Sequence, residues 1–233
     1  MIGINKGALG VVNPNLKLEL KFNYQTYTDL AATVAAGTND YVRSWRSSVG
    51  GHLLTQSTDA ARPQRVSDGL CFDGGDLLSI LTPASFNWGS GNFTVEWWSS
   101  SATPLSGSPV NISVGGPANY WAGFCTSNAY VILANAGGSA WNSAASFSGV
   151  SANTWTHFAV VRDSGVLRTY KDGSQLGTAN NTQAMYYNAS FPIYLGCRYP
   201  GALQFTGKMT DIRLYTACIY PSGTSFTPPT RSA

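Results

Sequence analysis

The stretch THFAVVRDSGVLRTYKDGSQLG, residues 156–177, contains the clearest pattern in this sequence. Two apolar-rich runs, HFAVV and VLRTY, are each followed by a turn signal, RDSG and KDGS. Ser-Gly and Asp-Gly pairs between such runs are typical of tight hairpins, in which Asp163 and Asp172 would set the register. The stretch therefore predicts an antiparallel meander with one face buried.

Similar short runs follow one another along most of the chain. LKLELKFNY at 16–24 alternates apolar and charged residues, and GNFTVEWWSSS at 91–101 alternates β-branched and aromatic residues after a Gly/Asn turn. FPIYLGCRY at 191–199 and GKMTDIRLYTA at 207–217 add two more runs, whereas almost no helical period occurs. Many short strands separated by turn signals predict an all-β fold, a two-sheet antiparallel β-sandwich.

The two ends of the chain lack this regular pattern. Residues 1–15 contain Gly, Asn and Pro with little periodicity, so we expect an N-terminal arm there. The jelly-roll domain is expected over 16–233, and its closing FTPPTRS is expected to be an extended tail because two prolines resist helix and inner strand.

The composition argues against several classes of partner. Charged residues make up 11% of the chain, the formal net charge is +3, and no Lys/Arg run occurs, so we expect no direct contact with nucleic acid. No stretch of about 18 apolar residues exists and the first residues lack a signal-peptide pattern, so we expect no membrane span and no secretory leader. Low charge with many aromatic and hydroxyl side chains suits a surface covered by neighbours in an assembly.

Cysteine and acid spacing bears on redox state and metal binding. Four cysteines, at positions 71, 125, 197 and 218, form no CxxC pair, and only two histidines exist, so no zinc site is expected. We predict four free thiols in mostly apolar packing, although an even count leaves disulfides open. Asp73 and Asp76, in FDGGD, are weak candidates for calcium ligation, and the alternative is a Gly-Gly turn with Asp as turn former.

Several motifs occur in a fixed order: GNFTVEWWSSS, NTWTHFAVVRDSGVLRTYKDGSQLG, PIYLG and FTGKMTDIRLY. Their order and spacing, across about residues 40 to 230, resemble the laminin-G-like domains of the concanavalin A-like lectin/glucanase fold. The closing LYTACIYPSGTSFTPPT resembles the end of versions found in bacteriophage tail and virion proteins. The resemblance implies a concanavalin A-like jelly roll and, through that ending, a virion protein assembled in the host cytoplasm.

Two departures from the family pattern bear on calcium. The upstream stretch VRSWRSSVGGHLLTQSTDAARPQRVSDGLCFDGGDLLSI resembles the lead-in that such domains often have, but Arg46 stands where that lead-in usually has an acid. Ile212 and Arg213 follow Asp211 where a second acid is usual. Lost carboxylates argue against the calcium site that many relatives have. We therefore predict no cofactor and no tightly bound calcium.

No catalytic residue is predicted. Glycosidases need two carboxylates about 5 to 10 Å apart, and Glu96, in FTVEWW, is followed by no second acid on its strand. His157 stands on an apolar strand with no acid or nucleophile pattern around it, and His52 lies in a Gly-Gly loop, so both are interpreted as structural. We expect no enzyme, and a glycan hydrolase or lyase is the least favoured alternative.

Aromatic residues beside Gly-, Asn- or Pro-rich segments are the candidates for contacting a glycan or a protein, with core or rim packing as the alternative. They are Tyr120, Trp121, Trp141, Tyr186, Tyr187 and Tyr199. Val11, Val12 and Pro14, in the arm, are predicted to order against a neighbouring chain.

The leading hypothesis is a non-enzymatic component of a bacteriophage virion, either a capsid decoration, a fibre or a tail-associated adhesin. Its partners would be other virion proteins, a host surface glycan, or both, and it would be present as a homo-oligomer or in several copies on the particle. A free carbohydrate-binding module is the main alternative. Several exposed aromatics beside amide or carboxylate groups would favour the module.

Overall fold

The computed structural model describes residues 13–22, 26–81, 83–103, 110–115, 121–125, 131–134, 141–144, 149–185, 187–198, 200, 202–221 and 225–232, with the backbone alone for 110, 115 and the three strands between 121 and 144. The strands are β1 Leu16–Leu20, β2 Thr26–Tyr27, β3 Ser44–Arg46, β4 Leu53–Thr55, β5 Gln64–Val66, β6 Gly69–Asp73, β7 Leu78–Leu81, β8 Phe93–Ser100, β9 Val110–Gly115, β10 Trp121–Cys125, β11 Val131–Ala134, β12 Trp141–Ala144, β13 Thr156–Asp163, β14 Val166–Lys171, β15 Ser174–Asn180, β16 Pro192–Leu195 and β17 Thr206–Tyr215.

These strands form two antiparallel sheets. The eight-stranded sheet has the order β15-β14-β13-β8-β17-β6-β5, and β1 also pairs with β17. The nine-stranded sheet has the order β12-β11-β10-β9-β16-β7-β4-β3-β2. Neighbours that are far apart in sequence, such as β8 beside β17 and β9 beside β16, make the chain cross repeatedly between the sheets. The predicted all-β, two-sheet antiparallel sandwich is confirmed.

Alternation along each strand divides its side chains between the core and the outer face. In β8, Phe93, Val95 and Trp97 are fully buried in the core between the two sheets. Glu96 and Trp98 point to the opposite, outer face because successive strand residues alternate. Burying each large apolar side chain contributes about 1.5–3 kcal/mol, so the core supplies the main stabilisation of the sandwich.

The meander over β13, β14 and β15 folds as its sequence predicts. Ser164-Gly165 joins the first pair of strands and Asp172-Gly173 joins the second. All four residues have positive φ, between 48° and 78°, which is the geometry of two-residue hairpin loops that match the twist of the strands. The predicted register role of the turns is confirmed, since Asp163 pairs with Val166 across the first turn.

An extended segment covers the outer face of the eight-stranded sheet. We call residues 217–221 and 225–232 the C-terminal strap. Phe226 N donates a hydrogen bond to Gly173 O at 2.9 Å, so the strap begins to pair with the second hairpin turn. The two prolines predict an extended tail, and residues 225–232 contain no helix and lie on this domain.

The far end of the strap is held at a bulge in β17. The register of β17 against β8 shifts between Thr210 and Arg213, and Asp211 there has a φ of 48°. The Asp211 carboxylate accepts hydrogen bonds from the backbone N and the Oγ of Ser232, at 2.5 and 2.6 Å. The acid in the family-like motif therefore anchors the chain's own tail.

Helical structure in the described residues is limited to two three-residue 3-10 turns, Asp59–Ala61 and Ala84–Phe86. Over residues 26–37, where the sequence left helix or turn open, β2 is followed by turns and bends. Across the described ranges no helix has the length and apolar character needed to cross a bilayer.

Three of the four cysteines have described side chains, and all three are free thiols: Cys71, Cys197 and Cys218. The side chain of Cys125 lies outside the described residues. Burial raises the pKa of the Cys197 thiol to about 12, so it behaves as a small apolar group. The prediction of free thiols is confirmed for these three positions.

Candidate functional site

Most of the predicted contact residues lie outside the described part of the chain. This holds for Tyr120, Tyr186, Tyr199, Val11 and Val12, and for the side chains of Trp121 and Trp141, which begin β10 and β12. Tyr187 is half-buried and already interacts with another residue. Pro14 is exposed in the turn before β1, where its carbonyl accepts a hydrogen bond from Lys17 Nζ. These positions remain predictions.

An open cleft of about 430 Å³ lies at the outer face of the nine-stranded sheet. The segment after β4, the turn between β6 and β7, β16 and the segment before β17 surround it. We call it the sheet cleft, and its described lining residues are Gln56, Thr58, Ala61, Gly75, Leu77, Ser79, Tyr194, Pro200 and Gln204. Its volume is within the range of small-molecule sites.

Tyr194 is the aromatic residue among the described lining residues of the sheet cleft. Its strand neighbours Ile193 and Leu195 are fully buried in the core, so alternation places Tyr194 on the outer face. Its cross-strand neighbours are serines on both sides, Ser79 on β7 and Ser113 on β9. Because both neighbours are small, no bulky cross-strand side chain covers the tyrosine ring.

Several polar side chains line the same cleft, and two of them have no described hydrogen-bond partner. Gln56 is held in place, since its Oε1 accepts a hydrogen bond from Thr58 N at 2.8 Å. The side-chain amide of Gln204 and the hydroxyl of Tyr194 form no hydrogen bond with any described residue. Burial raises the pKa of Tyr194, so its hydroxyl stays protonated and can donate. A ligand with hydroxyl groups could therefore both accept and donate here.

The FDGGD segment forms one wall of the sheet cleft. Asp73 N donates to Asp76 Oδ2 at 2.9 Å and Gly75 N donates to Asp73 Oδ1 at 2.7 Å, so the turn interpretation is confirmed. Asp76 is buried, and burial together with the nearby Asp73 charge raises its pKa to about 6. Among the described residues no group of three or more His, Cys, Asp or Glu could hold a metal ion.

All eleven Asp and Glu side chains lie in the described residues, and each has a structural partner. Glu19 and Glu96 contact Arg213, Asp29 contacts Thr33, Asp40 contacts Gly37 N, Asp59 contacts Arg43, Asp68 contacts Lys208, Asp73 contacts Gly75 N, Asp76 contacts Asp73 N, Asp163 contacts Arg168, Asp172 contacts His157 N and Asp211 contacts Ser232. The described lining of the sheet cleft contains no carboxylate. A pair of carboxylates flanking a glycosidic bond is therefore absent from that lining.

Glu96 lies at the centre of a buried polar network beneath the C-terminal strap. Its carboxylate is 3.2 Å from His157 Nε2 and accepts hydrogen bonds from Tyr215 Oη at 3.1 Å and Tyr220 Oη at 2.5 Å. Arg213 Nη1 is 3.7 Å away. No acid pattern surrounds His157 in the sequence, yet Glu96 lies beside it in the fold. The two residues lie on neighbouring strands, 61 positions apart, where only the sheet register brings them together.

The electrostatics of this network suit a closed structural cluster. Burial alone would raise the pKa of Glu96, but hydrogen bonds from His157 and Tyr220 and the charge of Arg213 outweigh burial and lower it. Burial and the Glu96 charge raise the pKa of Tyr215 and Tyr220. The side chains of Glu96 and His157 have no solvent exposure, so neither can reach a substrate in this arrangement. His52 packs on Phe86, with ring centroids 5.6 Å apart.

The two crossed antiparallel sheets define a jelly-roll β-sandwich. A laminin-G family model, described as the concanavalin A-like lectin/glucanases superfamily, matches residues 72–222. The chain belongs to this superfamily, and the resemblance inferred from its motifs is confirmed at that level. A segment of 69 residues is 30% identical to adhesion G-protein coupled receptor V1 of Danio rerio and covers 29% of this chain and 1% of that receptor.

Solved structures with the same fold belong to several kinds of protein. Domain 4 of AbnA, an extracellular arabinanase from Geobacillus stearothermophilus solved with arabinotriose, matches with a TM-score of 0.53 at 17% identity over 89% of this chain and 95% of that one. The receptor binding domain of botulinum neurotoxin D has a TM-score of 0.59 at 12% identity over 88% and 50%. Trypanosoma rangeli sialidase has a TM-score of 0.53 at 16% identity over 90% and 32%. At these identities the comparisons establish the fold alone.

The sequence pattern did not predict the sheet cleft. PIYLG contributed only to the strand pattern and the family resemblance, yet its Tyr194, between two core residues, faces outward and lines the cleft. A lone aromatic flanked by apolar residues on a strand was the available signal. Gln204 and Gln56 had no signal, because they meet Tyr194 only through the fold.

Proposed function

We propose that this chain is a non-enzymatic recognition domain that binds carbohydrate in the sheet cleft. The observation that supports this most directly is the pairing of an open aromatic side chain with free neutral donors and acceptors. Tyr194 is half-buried and lines the cleft, and Gln204 lines the same cleft with a side-chain amide that forms no hydrogen bond with a described residue. Aromatic rings that pack on sugar rings, with a few oriented polar groups around them, suit carbohydrate ligands.

The partners of the acidic side chains argue against catalysis. The eleven carboxylates are held by structural partners, and Glu96 is enclosed by Tyr215, Tyr220 and the strap. A general acid must reach the leaving oxygen within hydrogen-bond distance, which an enclosed carboxylate cannot do. Domain 4 of the arabinanase, solved with arabinotriose, and a receptor binding domain share this fold, and both are consistent with a binding role.

We further propose that the domain acts as an adhesive component of a bacteriophage virion, in several copies on the particle. The support is the closing segment LYTACIYPSGTSFTPPT, which resembles phage tail and virion proteins. The weakly charged surface composition suits close contact with other virion proteins. Antibody labelling of purified particles in the electron microscope should mark a fixed position, and unlabelled particles would overturn the virion assignment.

A glycan array with the purified chain tests the binding function. We expect binding to at least one class of glycan, and loss of that binding in Tyr194→Ala while circular dichroism stays unchanged. The same glycans, incubated with the protein, should release no new reducing ends. A folded protein that binds no glycan on the array, or that releases reducing ends, would overturn the proposal.

A further inference from the structure

The described lining of the sheet cleft is almost free of ionisable groups. Of its described residues, only Tyr194 has a titratable side chain, and that hydroxyl stays neutral. The other polar groups are amides and hydroxyls, from Gln56, Gln204, Thr58 and Ser79. Such groups satisfy uncharged hydroxyls well but offer no full positive charge to a carboxylate or sulfate.

Three arginines on the segments around the lining already have partners. Arg43 and Arg62 both bind the same acid, Asp59, and Arg62 Nε also donates to Asp59 O at 3.0 Å. The Arg62 guanidinium additionally lies over the Tyr41 ring, 5.4 Å from its centroid. Arg198, on the segment that leads to Pro200, also interacts with another residue. To pair with an anion in the cleft, Arg43 or Arg62 would have to give up its contact with Asp59.

The wall of the cleft adds a negative bias. Asp76 is buried between two lining residues, Gly75 and Leu77. Its carboxylate accepts a hydrogen bond from Asp73 N and has no cationic partner among the described residues. An anionic ligand would therefore lose its hydration without gaining a cationic partner from the described lining. It would also approach the Asp76 carboxylate, which has the same sign of charge.

The row of side chains across the sheet favours a flat sugar ring. Thr55, Ser79, Tyr194 and Ser113 are successive cross-strand neighbours on β4, β7, β16 and β9. Tyr194 and Ser79 are half-buried and line the cleft, whereas Ser113 is buried. The Ser79 hydroxyl, beside the tyrosine, can bond the edge of a sugar ring that packs on Tyr194.

We infer that the sheet cleft selects uncharged sugars over acidic ones and binds them without a metal ion, with the ring on Tyr194 and its hydroxyls bonded to Gln204 and Ser79. This inference rests on the carbohydrate-binding function proposed above and specifies its ligand class. It distinguishes neutral glycans from sialylated, uronic or sulfated ones.

The test uses an array on which neutral oligosaccharides stand beside counterparts that differ by one sialic acid, uronic acid or sulfate. We expect the signals to come from neutral members, with at least about a tenfold loss when the acidic group is added to the bound sugar. Excess EDTA should leave the signals unchanged. Tyr194→Ala should lose about tenfold or more and Gln204→Ala about three- to tenfold, whereas Gln175→Ala, on the other sheet, should bind normally.

Each outcome has a distinct consequence. Binding restricted to acidic glycans, or binding lost with EDTA, overturns the inference and leaves the carbohydrate-binding function standing if Tyr194→Ala abolishes it. Neutral-sugar binding that persists in both Tyr194→Ala and Gln204→Ala also overturns the inference, because the ligand then sits elsewhere. Absence of any binding overturns the proposed function itself.

Discussion

Arg162 occupies the inward-facing row of β13 and is fully buried, although core positions normally exclude a guanidinium. Its nitrogens donate to Gly91 O at 2.7 Å, Gly89 O at 2.6 Å, Gln183 O at 3.1 Å and Asn181 Oδ1 at 3.0 Å. Those acceptors belong to the loop before β8 and the segment after β15. One planar side chain thus joins two loops at the same end of the sandwich.

Replacing this side chain by lysine should be costly. Arg162→Lys keeps a positive charge but cannot reach the separate acceptors with a planar fork, so several buried carbonyls lose their donor. We expect the free energy of unfolding to fall by about 3 kcal/mol in urea titrations. Arg43→Lys, a partly exposed surface pair, is the matched control and should change by less than about 1 kcal/mol. Equal losses in both variants would contradict this role.

Asp76 predicts a pH-dependent stability. Its pKa rises from 3.8 to about 6 in the folded protein, so the native state holds the proton more tightly than the unfolded chain. The contribution of this proton to the free energy of unfolding is therefore complete below about pH 4. It is lost as the pH rises through about 6, by about 3 kcal/mol in total. Asp76→Asn stays neutral and its amide oxygen can still accept from Asp73 N. The variant should melt higher than wild type at pH 7.5 and similarly at pH 4.

The control for that prediction is Asp40→Asn. Asp40 is exposed and accepts a hydrogen bond from Gly37 N at 2.7 Å, a comparable turn role without burial. Its substitution should produce no gain at pH 7.5. An Asp76→Asn variant with the same pH profile as wild type would show that the buried carboxylate does not limit stability.

At the scale of elements, the C-terminal strap is fixed by one short hydrogen bond in its first part. Tyr220 Oη donates to buried Glu96, and the Tyr220 ring stacks on Phe226 with centroids 3.5 Å apart. Tyr220→Phe keeps the stacking but leaves the carboxylate with one donor fewer, so we expect a loss of about 1.5–3 kcal/mol in unfolding free energy. Tyr194→Phe removes a hydroxyl without a described partner and should leave stability unchanged. Comparable losses would argue against the strap contact.

The second hairpin turn and the strap are also in close backbone contact. A Cβ at Gly173 would lie 1.8 Å from Phe226 O, and the residue has a φ of 78°. Gly51 has a similar φ of 67°, but a Cβ there would meet nothing within 4 Å. Gly173→Ala should therefore lower the melting temperature more than Gly51→Ala and increase hydrogen exchange in the strap. Equal shifts would mean that backbone strain alone explains the effect.

The elements could be predicted from sequence where the signal is local. Alternation in FTVEWW and two-residue turns at Ser164-Gly165 and Asp172-Gly173 are properties of neighbouring residues, and they produced the correct strands and hairpins. The network around Glu96 could not be predicted, because His157, Tyr215 and Tyr220 reach it from distant parts of the chain. The side-chain environment on an outer face also depends on which segment covers that face. Here the covering segment is the strap, which comes from a distant part of the chain.

At the scale of the whole molecule, the two faces of the sandwich have different roles. The outer face of the eight-stranded sheet is covered by the chain's own strap, which encloses the one strand carboxylate that resembled a catalytic acid. The outer face of the nine-stranded sheet instead bears the open sheet cleft. The family motifs predicted the sandwich, but they contained no information on which face stays open.

The most direct test of the central claim is a single NMR titration of the isotope-labelled protein with a sugar identified on the array. We predict that the Gln204 side-chain amide and the Gly75 backbone amide shift on titration, while the indole signals of Trp98 and Trp155, on the other sheet, stay in place. The anomeric signals of the sugar in the same tube should show no new reducing ends. Shifts centred on the eight-stranded sheet, or new reducing-end signals, would contradict a non-catalytic sugar site at Tyr194.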